Sequence, residues 1–483
     1  MADKPEAPDA TPPWVVMKFG GTSVSTKASW ETIEALARAV LASGARPLIV
    51  HSALSQVSNM LERAIAAALG HKHSPVLDKI IQKHMALATD MGLDGPALIG
   101  PSHQRLSRWL DGIALVGEAS PRVQARILAE GEIMASALGA ARLKAQGLSV
   151  SNLDARAALK SVTRAGKGET THYLSAVCTD TPDEDLIKTL DDLASQVVLT
   201  QGFIASNEAG ETVLLGRGGS DVSGALFSAK IKAARLEIWT DVPGMFSTDP
   251  RLTPTARLLK DLSYDEAQEI ALMGAKVVHP RALPPARRAS IPVLVKCTHQ
   301  PEASGTRISA SPADTSARVK AVTVKSGLIL VSMTATAMWG EVGFLANAFA
   351  AFAKNGLSID LVCTSEASVT VSLDTGQNLD AGALAQLQAD LAPLCRVKII
   401  RDCASVSLVG RGIRTILHKL TPALALLRDH PVRLVSQAAN DLNFTVVVDE
   451  DQAQKLALRL HDEMVEVEVG DKVFGPSWTD TQG

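Results

Sequence analysis

The 483 residues are enough for about three domains at roughly 150 residues each. Hydrophobic residues make up 46% of the chain, which allows sizeable cores, and the formal net charge of −3 disfavours binding to nucleic acid or to a membrane surface. The five cysteines are scattered without a C-x-x-C pair, which predicts reduced thiols in a cytoplasmic protein. The sequence also has no apolar run long enough to span a bilayer.

The N-terminal part of the chain has the pattern of an α/β protein. Residues 1–13 are rich in Ala, Pro and Asp and are predicted to be a disordered tail. An apolar strand over Trp14–Phe19 is followed by a helix that Ser29 can cap and Gly44 can end. A second apolar strand follows at 47–53, and this order predicts a parallel sheet.

The same pattern continues to the middle of the chain, where its composition changes. A helix is predicted at 223–234, and further strands are predicted at 148–153, 197–204, 212–215, 236–239 and 292–296. We therefore predict a catalytic domain over 14–298, with the strand at 292–296 as its last. The segment 299–320 is rich in Ser, Pro, Ala and Gly, which is typical of a linker.

The C-terminal part contains an internal duplication with an offset of about 75 residues, for example between 331–333 and 406–408. Each copy has the strand and helix order of a ferredoxin-like unit. We predict a regulatory region over 321–475 and a polar, loose tail over 476–483.

A glycine-rich turn follows the first strand, with the sequence Lys18-Phe19-Gly20-Gly21-Thr22-Ser23. The two glycines let backbone N–H groups approach an anion closely, and Lys18 supplies a point charge for phosphate oxygens. The alternative is an ordinary tight turn with a surface lysine.

A second glycine-rich turn lies between a predicted strand and helix, with the sequence Gly216-Arg217-Gly218-Gly219-Ser220-Asp221. Arg217 could hold a carboxylate or phosphate through two hydrogen bonds. Ser220 and Asp221 could instead only cap the following helix.

Five motifs in order resemble the aspartokinase branch of the amino acid kinase family. They are K-F-G-G-T-S at 18–23, E-G-E-I-M at 130–134, G-R-G-G-S-D at 216–221, T-D-V-P-G with T-D-P-R at 240–251, and G-A-K-V-V-H-P at 274–280. The resemblance implies an amino acid kinase fold, with a mostly parallel sheet and helices on both faces, followed by two ferredoxin-like ACT domains. In that arrangement the first ACT unit would span about 328–397, inserted into a second unit made of 321–327 and 398–475.

The activity implied by the resemblance is ATP-dependent phosphorylation of the side-chain carboxylate of L-aspartate. This reaction gives 4-phospho-L-aspartate and begins the aspartate-derived pathway to lysine, threonine and methionine. Mg²⁺ would be held mainly by the phosphates, without a metal site built from protein side chains. Because aspartate is already ionised at neutral pH, the reaction needs no general base.

The resemblance also implies roles for individual residues. The catalytic residues would be Lys18, Asp221 and Lys276, and aspartate would be bound by Ser52, Ser58, Glu132 and Arg217. The nucleotide would be bound by Lys18, Gly20, Gly21, Thr22, Ser23, Thr240, Asp241, Phe246, Arg251 and Lys276. Two of these depart from the family pattern, since Ser58 stands where threonine is usual and Phe246 where tyrosine is common.

The first ACT unit resembles the effector loop of lysine-inhibited aspartokinases. Its effector-binding residues would be Met338, Gly343, Phe344, Leu345, Asp360, Ser365 and Glu366. The implied effector is L-lysine, with threonine as the alternative, and the ACT domains would pair in a homodimer or larger homo-oligomer. The alternative is that neither residue binds an effector, with Asp360 as a turn residue and Glu366 as an exposed surface residue.

Three other interpretations remain at this point. The chain could be a kinase of the same fold for another small acid, a non-catalytic amino-acid sensor, or one part of a longer bifunctional polypeptide.

Overall fold

The computed structural model describes residues 12–164, 166, 168–334, 342–374, 381–437, 439–468 and 470–481. It divides into two compact units. The first unit comprises Met1–Met245 and Val277–Ser311, and the second comprises Phe246–Lys276 and Pro312–Gly483.

Both strands and helices occur in each of the two units. The strands are β1 (Trp14–Phe19), β2 (Arg46–His51), β3 (Val150–Leu153), β4 (Val197–Gln201), β5 (Ile204–Ser206), β6 (Thr212–Leu214), β7 (Arg235–Thr240), β8 (Arg257–Leu259), β9 (Asp261–Ser263), β10 (Val293–Cys297), β11 (Thr306–Ser309), β12 (Arg318–Thr334), β13 (Ile359–Thr364), β14 (Ser368–Asp374), β15 (Arg396–Arg411), β16 (Leu434–Ser436), β17 (Asn443–Asp449) and β18 (Phe474–Ser477). The helices are α1 (Lys27–Ala42), α2 (Val57–Ala68), α3 (Ser74–Asp90), α4 (Gly95–Val116), α5 (Pro121–Ala145), α6 (Ala155–Ala158), α7 (Glu169–Leu174), α8 (Glu184–Asp191), α9 (Gly219–Lys230), α10 (Tyr264–Leu272), α11 (Leu283–Arg288), α12 (Phe344–Lys354), α13 (Ala381–Leu391), α14 (Thr421–Leu426) and α15 (Glu450–Met464).

The first unit is built on a sheet in which β3, β4, β2, β1, β7, β10 and β11 follow one another in that order. The pairs from β3 to β10 are parallel, and β10 and β11 run antiparallel. Every residue of β1 is buried, which explains why its sequence is an apolar run rather than an alternating pattern. The predicted α/β class with a parallel sheet is confirmed.

The second unit contains an antiparallel sheet in the order β13, β14, β12, β15, β17 and β16. The long strands β12 and β15 contribute to two separate hydrophobic cores. The C-terminal half of β12 packs with α12 and α13 through residues such as Val331 and Leu387. Its N-terminal half packs with α15 through Val322 and Leu456.

Two segments predicted to lack regular structure contain strands instead. Within 299–320, Thr306–Ser309 pairs antiparallel with β10, so the strand at 292–296 is not the last of its sheet. Thr306, Ile308 and Ser309 are buried and only Arg307 is exposed, so this four-residue strand shows no regular alternation that the sequence could reveal among the surrounding Ser, Pro and Gly.

The C-terminal tail is also more ordered than predicted. Phe474–Ser477 pairs with β8, and Phe474 is buried. The prediction of a loose tail is therefore wrong for the described residues up to 481. Phe474 lies opposite Leu259 of β8, and Trp478 packs against the buried cluster of Phe246, Ala256 and Leu258, so both depend on a segment more than 200 residues earlier in the sequence.

Candidate active site

Several predicted site residues lie where parallel strands of the first unit end. The last residue of β1, Phe19, is in register with His51 of β2 and Trp239 of β7. The Gly20-Gly21 turn, Ser52 and the Thr240-Asp241 pair therefore lie at the same edge of the sheet. The carboxyl edge of a parallel sheet is the usual place for ligand binding in α/β proteins.

Lys18 and Asp221 form an ion pair at this edge. Lys18 Nζ lies 2.6 Å from Asp221 Oδ1, and the two side chains are 10% and 13% exposed. Asp221 Oδ2 also accepts a hydrogen bond of 3.1 Å from the backbone N–H of His279. The carboxylate thus fixes the direction of the ammonium group, while a small part of that group stays accessible.

The first glycine turn is packed tightly against the loop after β2. A Cβ atom on Gly21 would come within 2.9 Å of the carbonyl oxygen of Ala53, so only glycine fits there. The Ser25 hydroxyl donates to the Gly21 carbonyl at 2.6 Å and accepts from the Ser55 N–H at 2.8 Å. In the same turn Thr22 is exposed, whereas Ser23 is buried.

The second glycine turn leads directly into α9. Gly218 precedes the helix with φ of +67°, and a Cβ atom at this position would clash with the ring of His279. Arg217 is exposed beside this turn. Burial lowers the pKa of His279 most, with a smaller opposing effect from Asp221 and a further lowering by the nearby Arg217 charge.

Glu132 is a buried carboxyl group on α5. Glu132 is only 2% exposed, and its Oε1 accepts a hydrogen bond of 3.3 Å from the Ala53 N–H. Within the described part of the chain, no donor reaches Oε2. Burial raises the pKa of Glu132 to about 8, against the smaller opposing effect of the backbone N–H groups.

The hydroxyl residues predicted to contact aspartate both lie in or next to the loop after β2. Ser52 is half-buried, and its Oγ lies 3.4 Å from the Phe19 carbonyl. Ser58 is a half-buried residue in the first turn of α2. At the end of β7, the Thr240 hydroxyl donates to Asp241 at 3.1 Å.

The remaining predicted nucleotide residues belong to the second unit. Phe246 is buried in a small cluster with Ala256 and Leu258, and its ring meets that of Trp478 edge-on at 5.4 Å. Arg251 holds Asp249 through two hydrogen bonds of 2.9 and 2.7 Å.

Lys276 is an exposed residue of the second unit. The pKa of Asp249 is lowered mainly by its hydrogen bond from Arg251, and the charge of Lys276 adds to this effect. Both Arg251 and Lys276 therefore interact electrostatically with Asp249.

The comparisons with known proteins decide the family. The model of the amino acid kinase family matches residues 13–297. The chain belongs to this family. Within it the chain is an aspartokinase, since it is 31% identical over 461 residues to the lysine-sensitive aspartokinase 3 of Escherichia coli (strain K12), covering 94% of this chain and 99% of that protein.

Other relatives agree with the aspartokinase assignment. Chloroplastic aspartokinase 3 of Arabidopsis thaliana is 30% identical over 476 residues, covering 95% of this chain and 83% of that protein. The crystal structure of E. coli aspartokinase III with aspartate and ADP (R-state) has a TM-score of 0.80 at 29% identity, covering 94% of this chain and all of that one. The T-state structure of the same protein with lysine and aspartate has a TM-score of 0.72 at 29% identity, covering 94% and 99%.

The aspartokinase chain pairs Asp360, a predicted effector ligand, with one of its own lysines. Lys325 Nζ lies 2.7 Å from Asp360 and 3.3 Å from Asp374. Burial lowers the pKa of Lys325, but hydrogen bonds and charge from the two carboxylates outweigh it, and the pKa is raised. The ammonium group therefore stays charged between them.

The other predicted effector residues are placed differently from one another. Gly343 precedes α12 with φ of +96°, Phe344 is buried in the same core as Val331 and Leu387, and Leu345 is 42% exposed. The Ser365 hydroxyl bonds that of Ser368 at 2.8 Å, and Glu366 is exposed. Met338 lies outside the described residues.

Some residues that shape the site were missed by sequence reasoning. The Ala53 N–H that binds Glu132, the Ser25 hydroxyl that links two loops, and Trp478 beside Phe246 carry no motif of their own. The Ala53 contact could not have been found because it uses a backbone group. Trp478 was overlooked because its segment was predicted to be loose, although an isolated tryptophan in a polar tail was a usable signal.

The described residues contain neither a membrane-spanning helix nor a cluster of metal-ligating side chains. No helix there is long and apolar enough to cross a membrane. No group of three or more His, Cys, Asp or Glu side chains in the same residues is arranged to hold a metal ion.

Proposed function

We propose that this aspartokinase transfers the terminal phosphoryl group of ATP to the side-chain carboxylate of L-aspartate. The observation that carries the proposal is Lys18, fixed by Asp221 beside a glycine turn at the carboxyl edge of the sheet. The match along nearly the whole chain to an aspartokinase crystallised with aspartate and ADP supports the choice of both substrates.

The physical difficulty of this reaction is the approach of two anions. Two unit charges about 4 Å apart repel by roughly 4 kcal/mol at an effective dielectric constant near 20. Lys18 offsets this repulsion at the transferring group, and Asp221 holds its ammonium in one direction, so little reorganisation is needed during the reaction. Asp221 is a positioning residue in this scheme.

Aspartate would be held by complementary charges on the first unit. The ionised carboxylate of Glu132 would bind the α-ammonium group, using the oxygen that has no donor among the described residues. The exposed guanidinium of Arg217 would bind the α-carboxylate through two hydrogen bonds. Ser52 and Ser58 would add hydroxyl contacts.

The nucleotide phosphates would lie against the first glycine turn and Lys18. Thr22, Ser23, Thr240, Asp241, Phe246, Arg251 and Lys276 are the further proposed nucleotide residues. Asp221 is already engaged by Lys18 and by a backbone N–H, which fits a Mg²⁺ ion held mainly by the phosphates. The ion would neutralise part of the phosphate charge.

Regulation by L-lysine through the ACT-like region is the second part of the proposal. The E. coli relative is named lysine-sensitive, and one of its structures contains lysine. Asp360 and Glu366 would bind the ammonium groups of the effector, and the segment around Gly343 its carboxylate. Pairing of ACT-like regions in a homodimer belongs to the same proposal.

The Lys325 ammonium should compete with the effector for Asp360. Lys325→Met is therefore expected to lower the lysine concentration for half-maximal inhibition by roughly two- to fivefold, the usual size of a partly exposed ion pair. Inhibition curves at fixed aspartate measure this. Lys354→Met is the matched control, because it removes an ammonium 2.8 Å from Asp390 on the surface of the same unit. Equal inhibition constants in all three proteins would contradict the competition.

ADP release tests the proposed activity directly. The full chain, ATP and Mg²⁺ are combined with aspartate, glutamate or acetylglutamate, with and without lysine or threonine. We expect release with aspartate, reduced by lysine. Release only with another acid would favour a different kinase of this fold, and no release with any acid would favour a non-catalytic sensor.

A further inference from the structure

The first unit contains a polar cavity of about 420 Å³ that is lined by three arginines. Arg105 comes from α4, Arg126 from α5 and Arg156 from α6, so three separate helices bring their guanidinium groups to one space. Cations gathered in this way repel one another unless carboxylates or a bound anion offset their charge.

Two of these arginines are fixed by carboxylates. Glu130, 2% exposed, accepts hydrogen bonds of 2.7 Å from Arg105 Nε and 2.8 Å from its Nη2. Asp154 holds Arg156 in the same way at 3.0 and 2.7 Å, and Arg156 Nη1 donates to Thr212 at 3.0 Å. The two guanidinium groups are thus oriented in advance, which lowers the entropic cost of binding a ligand.

The third arginine has no such partner. Within the described residues, no hydrogen bond or ion pair is found for Arg126. Glu211, the second acid lining the cavity, is engaged by Arg122 at 2.6 Å and by Asn207 at 3.0 Å. Its pKa is lowered mainly by a hydrogen bond from Tyr173, and the charge of Arg126 adds to this lowering. Among the described residues, Arg126 therefore acts on Glu211 only through its charge, and its guanidinium N–H groups stay available for a ligand.

This cavity is separate from the proposed aspartate site. Glu130 and Glu132 are two residues apart on α5, so their side chains point to opposite sides of the helix. Glu130 contacts Arg105, whereas Glu132 contacts the Ala53 N–H. A ligand beside Glu130 would not occupy the pocket of Glu132.

We propose that this cavity binds the oxyanion group of a small metabolite, a phosphate or a carboxylate, with Arg126 as the main contact. Planar guanidinium groups match both kinds of oxyanion through paired hydrogen bonds. The volume suits a small molecule, and the half-buried Trp109 offers a flat surface for the rest of it. This proposal does not depend on the proposed kinase activity.

Calorimetric titration of the full chain tests the site. Inorganic phosphate and succinate are the two probes, each added at millimolar concentrations in the presence of saturating ADP, Mg²⁺ and aspartate, which fill the proposed active site. Binding of phosphate assigns a phosphate site, and binding of succinate assigns a carboxylate site. Arg126→Gln should raise the dissociation constant of the probe that binds by at least about tenfold, as expected for the loss of a charged bidentate contact.

Arg108→Gln is the matched control, because Arg108 is an exposed arginine on α4 that does not line the cavity. It should bind the probe like the unmodified chain. Circular dichroism checks that both variants fold. Equal affinity in the unmodified and Arg126→Gln proteins, or no binding of either probe, would overturn the proposal.

Discussion

Lys18→Met should lower the rate of ADP release at saturating substrates by about 100- to 1,000-fold, the usual effect of removing a preorganised electrostatic contact. Methionine keeps the unbranched chain that packs beside Gly224 but removes the charge 2.6 Å from Asp221. The measurement is the steady-state turnover number for aspartate. The fold should survive, because Asp221 keeps its hydrogen bond from the His279 N–H.

Lys27→Met provides the control for this variant. Lys27 is also paired with an acid, at 4.0 Å from Glu31, but it lies on the exposed surface of α1. Its turnover should match that of the unmodified chain, and melting curves of both variants should show whether either has lost stability. Turnover of Lys18→Met within a few-fold of normal would remove Lys18 from the proposed transfer step.

The Michaelis constant for aspartate should depend on pH through Glu132. Its pKa is raised to about 8 by burial, so the carboxyl group is mostly protonated in the free protein at neutral pH. The α-ammonium group of aspartate binds the ionised form, and binding therefore releases a proton. From about pH 6 to about pH 7.5 the Michaelis constant should fall by nearly tenfold per pH unit.

Glu132→Gln should remove this pH dependence and raise the Michaelis constant by roughly 10- to 100-fold, the usual effect of losing a hydrogen bond to a charged group. Glu118→Gln is the control, since Glu118 is an exposed residue in the same unit. A pH profile of the glutamine variant parallel to that of the unmodified chain would contradict the assignment of Glu132.

The same pKa shift has a consequence for folding in the absence of aspartate. A carboxyl group whose pKa is higher in the folded than in the unfolded state costs stability above the unfolded value of about 4.3, and the cost grows until the pH passes the folded value. The melting temperature of Glu132→Gln relative to the unmodified chain should therefore be higher at pH 8 than at pH 5. This comparison needs no substrate and is independent of the kinetic test.

The α/β fold class, with its parallel sheet, could be predicted from the sequence. The apolar run of β1 and the glycines after it are local features, and local features are preserved in the fold. The strand Thr306–Ser309 could not be predicted, because its four residues are too few for a periodic signal. The strand Phe474–Ser477 was missed because its partner, β8, lies far away in the sequence.

The chemical groups available to the site follow from the sequence alone, namely the lysine and glycines of the first turn and the arginine and aspartate of the second. The surroundings of those groups depend on how the chain folds. The fold pairs Lys18 with Asp221, buries Glu132 against the Ala53 N–H, places Lys325 on Asp360 and gathers Arg105, Arg126 and Arg156 around one cavity. Charge is a property of a residue type, whereas burial and partners arise from contacts between segments that are distant in the chain.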